Sequence, residues 1–122
     1  MFDFLKKKHD IVAITKTPST KLLAVAYTGK GLVPYFEQAD YYEVYVFENG
    51  RKVRKQMLSM PVNRVDDSVD LFRKMKIDAV ICRGFSPRAL HELKRFGIRT
   101  GVFEGGPGAA LKAYRADTIQ YI

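Results

Sequence analysis

The apolar positions of the chain follow two different periods. Within Lys21–Tyr27, Leu22 to Ala26 are five apolar residues in succession, the pattern of a strand covered on both faces and the best candidate for a central one. Tyr41–Glu48 is dense in aromatic and β-branched residues, and Asn49-Gly50 behind it is a strong hairpin signal, since both residues tolerate positive φ. Arg51–Met60 then returns antiparallel, with an imperfect alternation of Val53, Gln56, Leu58 and Met60, until Pro61 stops it. From there the spacing becomes helical. Val65, Val69, Phe72 and Met75 recur on one face, with Asp66, Asp67 and Asp70 near the start, where the helix dipole favours negative charge.

The second half alternates. Ala79-Val80-Ile81-Cys82 is a short apolar strand after Asp78. Ser86 offers a cap, Pro87 suits the first helical position, and Ala89, Leu90, Leu93 and Phe96 follow at helical spacing up to Gly97. Ile98–Phe103 is a further strand, Gly105-Gly106-Pro107-Gly108 leads into a short helix over Ala109–Ala116, and Ile119–Ile122 is an apolar tail. Helices are thus expected near 65–76, 86–96 and 107–116. A hairpin followed by right-handed βαβ units gives an α/β fold with a mixed five-stranded sheet in the order 3-2-1-4-5. Strands 1 and 4 are then central neighbours whose connections leave in opposite directions. Ligands of open α/β sheets lie at such a switch point, here a crevice walled by Thr28–Gly31 and Cys82–Ser86.

Residues 1–20 read as an N-terminal extension to a single domain over 21–122. Ile11–Ile14 has the composition of an edge strand, and Thr17-Pro18-Ser19-Thr20 that of a turn. The 122 residues bury enough surface for one core. No apolar run approaches the ~20 residues of a membrane span, the N-terminus lacks the order of a signal peptide, and one cysteine forms no internal disulfide, which fits the cytoplasm. The net charge of +8 raises nucleic acid as a partner. The basic residues are scattered, however, apart from Lys6-Lys7-Lys8 and the cluster Arg51, Lys52, Arg54 and Lys55, and no zinc-finger, zipper or RNA-binding signature accompanies them. A solvated surface accounts for them better.

The turn after Cys82 is the place for a site. The helix beginning near Ser86 leaves its first N–H groups unpaired and carries about half a positive charge there. Arg83 and Arg88 flank that end, Gly84 has no Cβ to block approach, and Lys30 belongs to the facing loop. Arg83, Gly84, Ser86, Arg88 and Lys30 together are a candidate for a small anion, against the simpler reading that Ser86 caps the helix and water covers the rest. Gly29 and Gly31 let the opposite loop turn sharply or approach a ligand closely. His91 lies opposite the apolar face of its helix, as a surface histidine would. The glycine-rich stretch at 105–108 lacks a phosphate-loop ending and reads as a tight turn and helix start. A metal-dependent nuclease needs several converging carboxylates, and Lys21–Tyr27 has no acid, while Asp78 sits at the end of its strand away from the crevice. No Ser/His/Asp or Cys/His set offers itself either. The chain does not read as an enzyme.

Several stretches resemble the nitrogenase iron–molybdenum cofactor biosynthesis domain. They are Leu23-Ala-Val-Ala, Phe36, Ala39-Asp40 and Tyr45-Val-Phe-Glu-Asn-Gly, then Val80-Ile-Cys-Arg-Gly-Phe-Ser-Pro-Arg-Ala-Leu, Leu93, Gly97-Ile98, Ala110 and Tyr114. The resemblance covers about Lys21 to Ile122. It implies a three-layer ribonuclease H-like fold and a non-catalytic role in binding or carrying an iron–sulfur or iron–molybdenum cluster precursor, with a cluster donor or acceptor protein as partner. Cys82 would be the soft metal ligand, with Tyr35 and Gly29 beside the cargo. A helix N-terminus and Arg83 would favour its thiolate, whereas a cysteine closing a strand is equally well a buried structural residue. Members of the family commonly carry histidine and glycine around the phenylalanine matching Phe36, where this chain has Tyr35 and Glu37. A module of the same fold binding a small anion or a protein, without a metallocluster, is the alternative.

Overall fold

In the computed structural model, which describes residues 16–60 and 65–122, β1 (Thr20–Tyr27) runs through the middle of a mixed sheet. The side chains of Leu22 to Ala26 have no solvent exposure. Such a strand must have neighbours along both edges and helices over both faces, and β1 has them. β2 (Tyr41–Glu48) pairs with it antiparallel and β4 (Ala79–Cys82) pairs with it parallel. β3 (Arg51–Ser59) lies outside β2, and β5 (Arg99–Val102) continues the parallel half. α1 (Val65–Met75), α2 (Pro87–Arg95) and α3 (Pro107–Arg115) follow the expected helical stretches closely. The expected edge strand at Ile11–Ile14 and the stop at Pro61 lie outside the described residues.

The order of the five expected strands is 3-2-1-4-5, as expected with β1 between the hairpin and the parallel half, but the sheet of the described residues has six. The sixth, β6 (Gln120–Tyr121), comes from the apolar tail and pairs antiparallel with β5. It has only two residues, too few to show a period. It is held by its flanks: the Ile122 N–H donates to the Thr100 carbonyl at 2.9 Å, and the Thr100 hydroxyl donates to the Ile122 carbonyl at 2.9 Å. Gly101 permits this closure, because a Cβ there would fall 2.6 Å from Ile119.

The hairpin forms at Asn49-Gly50, both in the left-handed region at φ 52° and 80°, as the primed two-residue turns require. The irregular alternation in β3 also has a structural cause. Val46 faces Arg54 and Phe47 faces Lys52, so Val53 is an extra residue in a bulge, and the strand's facing reverses across it.

Alternation along β2 separates the two faces. Tyr42 meets Phe72 of α1 edge-on, with centroids 4.9 Å apart, whereas Phe47 lies 5.4 Å from Tyr114 of α3. α1 and α2 therefore cover one face and α3 the other. At the strand ends remote from the crevice, Asp78 ties three strands together. Its carboxylate accepts from the Leu22 N–H at 2.8 Å and from Lys16 Nζ at 2.7 Å. Its N–H donates to the Leu22 carbonyl and its carbonyl accepts from the Arg99 N–H, each at 2.9 Å. Asp78→Ala leaves the buried Leu22 N–H without that acceptor. We expect a loss of about 1–3 kcal/mol in urea unfolding, against a far smaller change for Asp70→Ala on the exposed side of α1.

Candidate functional site

The C-terminal ends of β4 and β5 are joined to the loop after β1 by a ladder of backbone bonds. The Val33 N–H donates to the Gly105 carbonyl at 2.8 Å, the Arg83 N–H to the Pro34 carbonyl at 2.8 Å, and the Phe36 N–H to the Gly84 carbonyl at 3.0 Å. The segment 33–36 thus lies across the switch point, followed by a 3-10 turn at Phe36–Gln38. Phe36 is the anchor: it is buried against Tyr42, Phe72 and Phe85, with centroids 6.0, 6.2 and 5.8 Å away.

This arrangement places the expected site residues in different surroundings. Cys82 ends β4 with no exposure at all. Burial pushes its thiol well up, a hydrogen bond with Tyr42 pulls the other way, and the charge of Glu37 adds to the rise. The direction is opposite to the thiolate that a metal ligand requires. Complete desolvation is the largest of these effects and outweighs the helix N-terminus, so burial wins. Of the two readings of this residue, the geometry matches the buried structural one.

The anion candidate is not gathered onto one point. Ser86 caps α2, accepting from the Ala89 N–H at 3.1 Å, and its hydroxyl donates to the Glu37 carboxylate. A carboxylate of the chain itself therefore stands beside that helix end. Arg88 turns away to Asp66 of α1 at 2.6 Å, and Arg83 reaches Glu104 at 3.4 Å. Lys30 is exposed, its N–H donating to the Thr28 hydroxyl at 3.1 Å. At Gly29 a Cβ would meet nothing within 4 Å, so no close approach depends on glycine there. The close approach is made by Gly31, at φ 84°, whose carbonyl lies 3.1 Å from where a Cβ of Gly106 would stand.

Tyr35 and Arg83 do come together. The tyrosine ring lies over Gly84, where a Cβ would fall 2.6 Å from a ring carbon, and the Arg83 guanidinium stands 5.6 Å from the ring centre. Both line an open cleft of about 380 Å³ with Leu32, Val33, Pro34, Gln38, Glu104 and Gly105. Leu32 is 63% and Tyr35 46% exposed, which makes one lip of the cleft apolar. The sequence reading missed Leu32, Glu104 and the placement of Glu37. Glu37 lies 49 positions from the serine it meets, and no local pattern marks such a pair.

Among the described residues, no group of three or more His, Cys, Asp and Glu side chains is arranged to hold a metal ion. His91 is exposed, with Glu92 as its nearest acidic neighbour at 3.9 Å. No helix of the described residues is long and apolar enough to cross a membrane.

Solved structures share this fold. A candidate dinitrogenase from Methanocaldococcus jannaschii superposes with a TM-score of 0.70 at 14% identity, over 83% of this chain and 93% of that one. The apo form of the orange protein from Desulfovibrio gigas gives 0.68 at 16%, over 84% and 92%. A candidate NifB protein from Thermotoga, of the DUF35 family, gives 0.68 at 18%, over 83% and 92%. These neighbours fit a nitrogenase cofactor biosynthesis-like family, the one that the motifs resemble. At such identities what is shared is the fold. No family model and no curated protein matches the sequence.

The buried thiol generates a prediction. A folded pKa raised above the unfolded ~8.5 means that the folded state holds its proton more tightly. Its stabilising contribution is therefore complete below pH ~8.5 and is lost as pH rises above that value. Native protein should react with a thiol-specific disulfide reagent only as fast as it opens. The fall in stability starting at pH ~8.5 should be absent in Cys82→Ala. Rapid labelling of native protein at neutral pH would contradict this placement of Cys82.

Proposed function

We propose that the chain is a non-catalytic binding or carrier domain on a ribonuclease H-like sheet. Its cargo is an anionic iron–sulfur or iron–molybdenum cluster precursor, taken up in the cleft beyond β4 and β5. The observation that carries the reading is the cleft itself, which stands at the switch point of the sheet with Arg83 on its wall. The motif resemblance suggests the class of cargo, and the names of the structural neighbours, a candidate dinitrogenase and a candidate NifB protein among them, support it. Cys82 and Tyr35 do not fit as a coordinating pair, since the thiol is buried and protonated and the phenol is a hard ligand. The cargo would keep ligands of its own and be held by charge from Arg83 and by contact with the Leu32 and Tyr35 lip. Glu104, which pairs with the guanidinium, would compete with cargo for it. A protein that hands over or receives the cluster is the corresponding partner.

The apolar lip favours a second reading, in which the same cleft takes a small anion or a protein segment without a metallocluster. Anaerobic incubation with iron and sulfide, desalting and a visible spectrum separate the two. The first reading expects retained absorbance in wild type and in Cys82→Ala, a loss of about ten-fold or more in retention for Arg83→Ala, and a gain for Glu104→Gln. A colourless wild-type protein would remove the cluster as cargo.

A further inference from the structure

At the opposite end of the sheet, away from the cleft, lies a cavity of about 410 Å³. Three cations, Lys21, Arg99 and Arg115, and three aromatic rings, Phe47, Tyr114 and Tyr121, line it. The topology brings them from five elements. Lys21 of β1 pairs with Phe47 of β2, Arg99 opens β5, Tyr121 belongs to β6, and Tyr114 and Arg115 end α3.

The side chains are already arranged as platforms. The Arg99 guanidinium lies 3.6 Å from the Tyr121 ring centre and Arg115 lies 6.0 Å from that of Phe47, while Phe47 and Tyr114 are tilted against each other at 5.4 Å. Among the described residues, none of the three cations has a carboxylate within ion-pair distance. Asp117 is the sole acid of the lining, and the charge of Asp78, paired with Lys16, is felt at Tyr114 from behind it, so the three cations of the lining stay in excess. The C-terminal end of α3 would oppose an anion, but several of its carbonyls are occupied. Lys112 accepts from the Ala116 N–H and Tyr114 from the Asp117 N–H, while Ala113 accepts from the N–H and hydroxyl of Thr118. Burial pushes both phenols up, with Arg99 drawing that of Tyr121 back in part. At neutral pH both keep their protons and can donate to oxygen.

Cations without a carboxylate counterpart call for an anion, and an arginine lying on an aromatic ring suits a flat ring that stacks while its charged group is held by the guanidinium. A bare inorganic anion would leave the aromatic walls idle, and an apolar ligand would leave the charges idle. The volume lies in the range of small-ligand sites. We propose that this cavity binds a mononucleotide, its base against Tyr114 and Tyr121, which the buried Phe47 backs, and its phosphate on Arg99, Arg115 and Lys21.

Titration of the full chain with AMP, by calorimetry and by amide shifts, tests the proposal, with adenosine, inorganic phosphate and a short single-stranded DNA as parallel ligands. AMP should saturate and shift Gly50, Arg99, Tyr114 to Asp117 and Tyr121. Adenosine and phosphate should each bind about ten-fold more weakly or worse, as should AMP to Arg99→Gln and Arg115→Gln, two exposed positions whose folding circular dichroism verifies. Arg83→Gln, in the cleft, should bind AMP as wild type does. The proposal is overturned if AMP fails to saturate at millimolar concentration, if phosphate binds as tightly as AMP, or if the arginine variants bind unchanged. It is equally overturned if the DNA strand saturates where AMP does not.

Discussion

Everything in this molecule follows from one strand that cannot touch water. Leu22 to Ala26 are apolar at every position, and all five are without exposure. A strand of that kind excludes the sheet edge and the half-open sheet alike, since either would leave apolar side chains or backbone groups in solvent. The chain meets the requirement with the hairpin along one side of β1, the βαβ half along the other, and helices over both faces. The switch point between β1 and β4 is a consequence of that burial, and the cleft is a consequence of the switch point. Asp78 then fixes the far ends of the same strands through the Leu22 backbone.

What the sequence made legible is what depends on local pattern. The hairpin turn needs two residues tolerant of positive φ, and Asn49-Gly50 stand side by side. Ser86-Pro87 places the start of α2, because cap and first helical residue are adjacent. The bulge at Val53 left a trace as a broken alternation, readable only once the partner strand gives the register. β6 left none, since two residues show no period and its stability comes from Thr100, whose hydroxyl bonds Ile122 across 22 positions of chain. The candidate site was legible as a place and not as a set. Arg88 goes to Asp66 and Arg83 to Glu104, choices made by tertiary proximity among exposed charges. For Cys82 the sequence displayed the helix N-terminus and the arginine, but not the desolvation that outweighs both.

The two positions at which the chain departs from the pattern it resembles both meet the loop after β4. Tyr35 covers Gly84, and Glu37 meets the hydroxyl that caps α2. A small or cationic residue at either place would leave the helix end open to an incoming anion; here the chain puts a ring and a carboxylate there instead. In the outer cleft, Arg83 and the Leu32 and Tyr35 lip remain accessible.

The proposed cargo sits in the outer cleft without coordination by Cys82. Paramagnetic broadening of amide resonances, recorded anaerobically after loading with an iron–sulfur precursor, reports the position of the metal directly. Broadening is then expected to centre on Leu32, Arg83, Glu104 and Gly105, with Lys21, Tyr114 and Tyr121 at the far end left sharp. Broadening centred at the far end, or spread evenly over the surface, would contradict it.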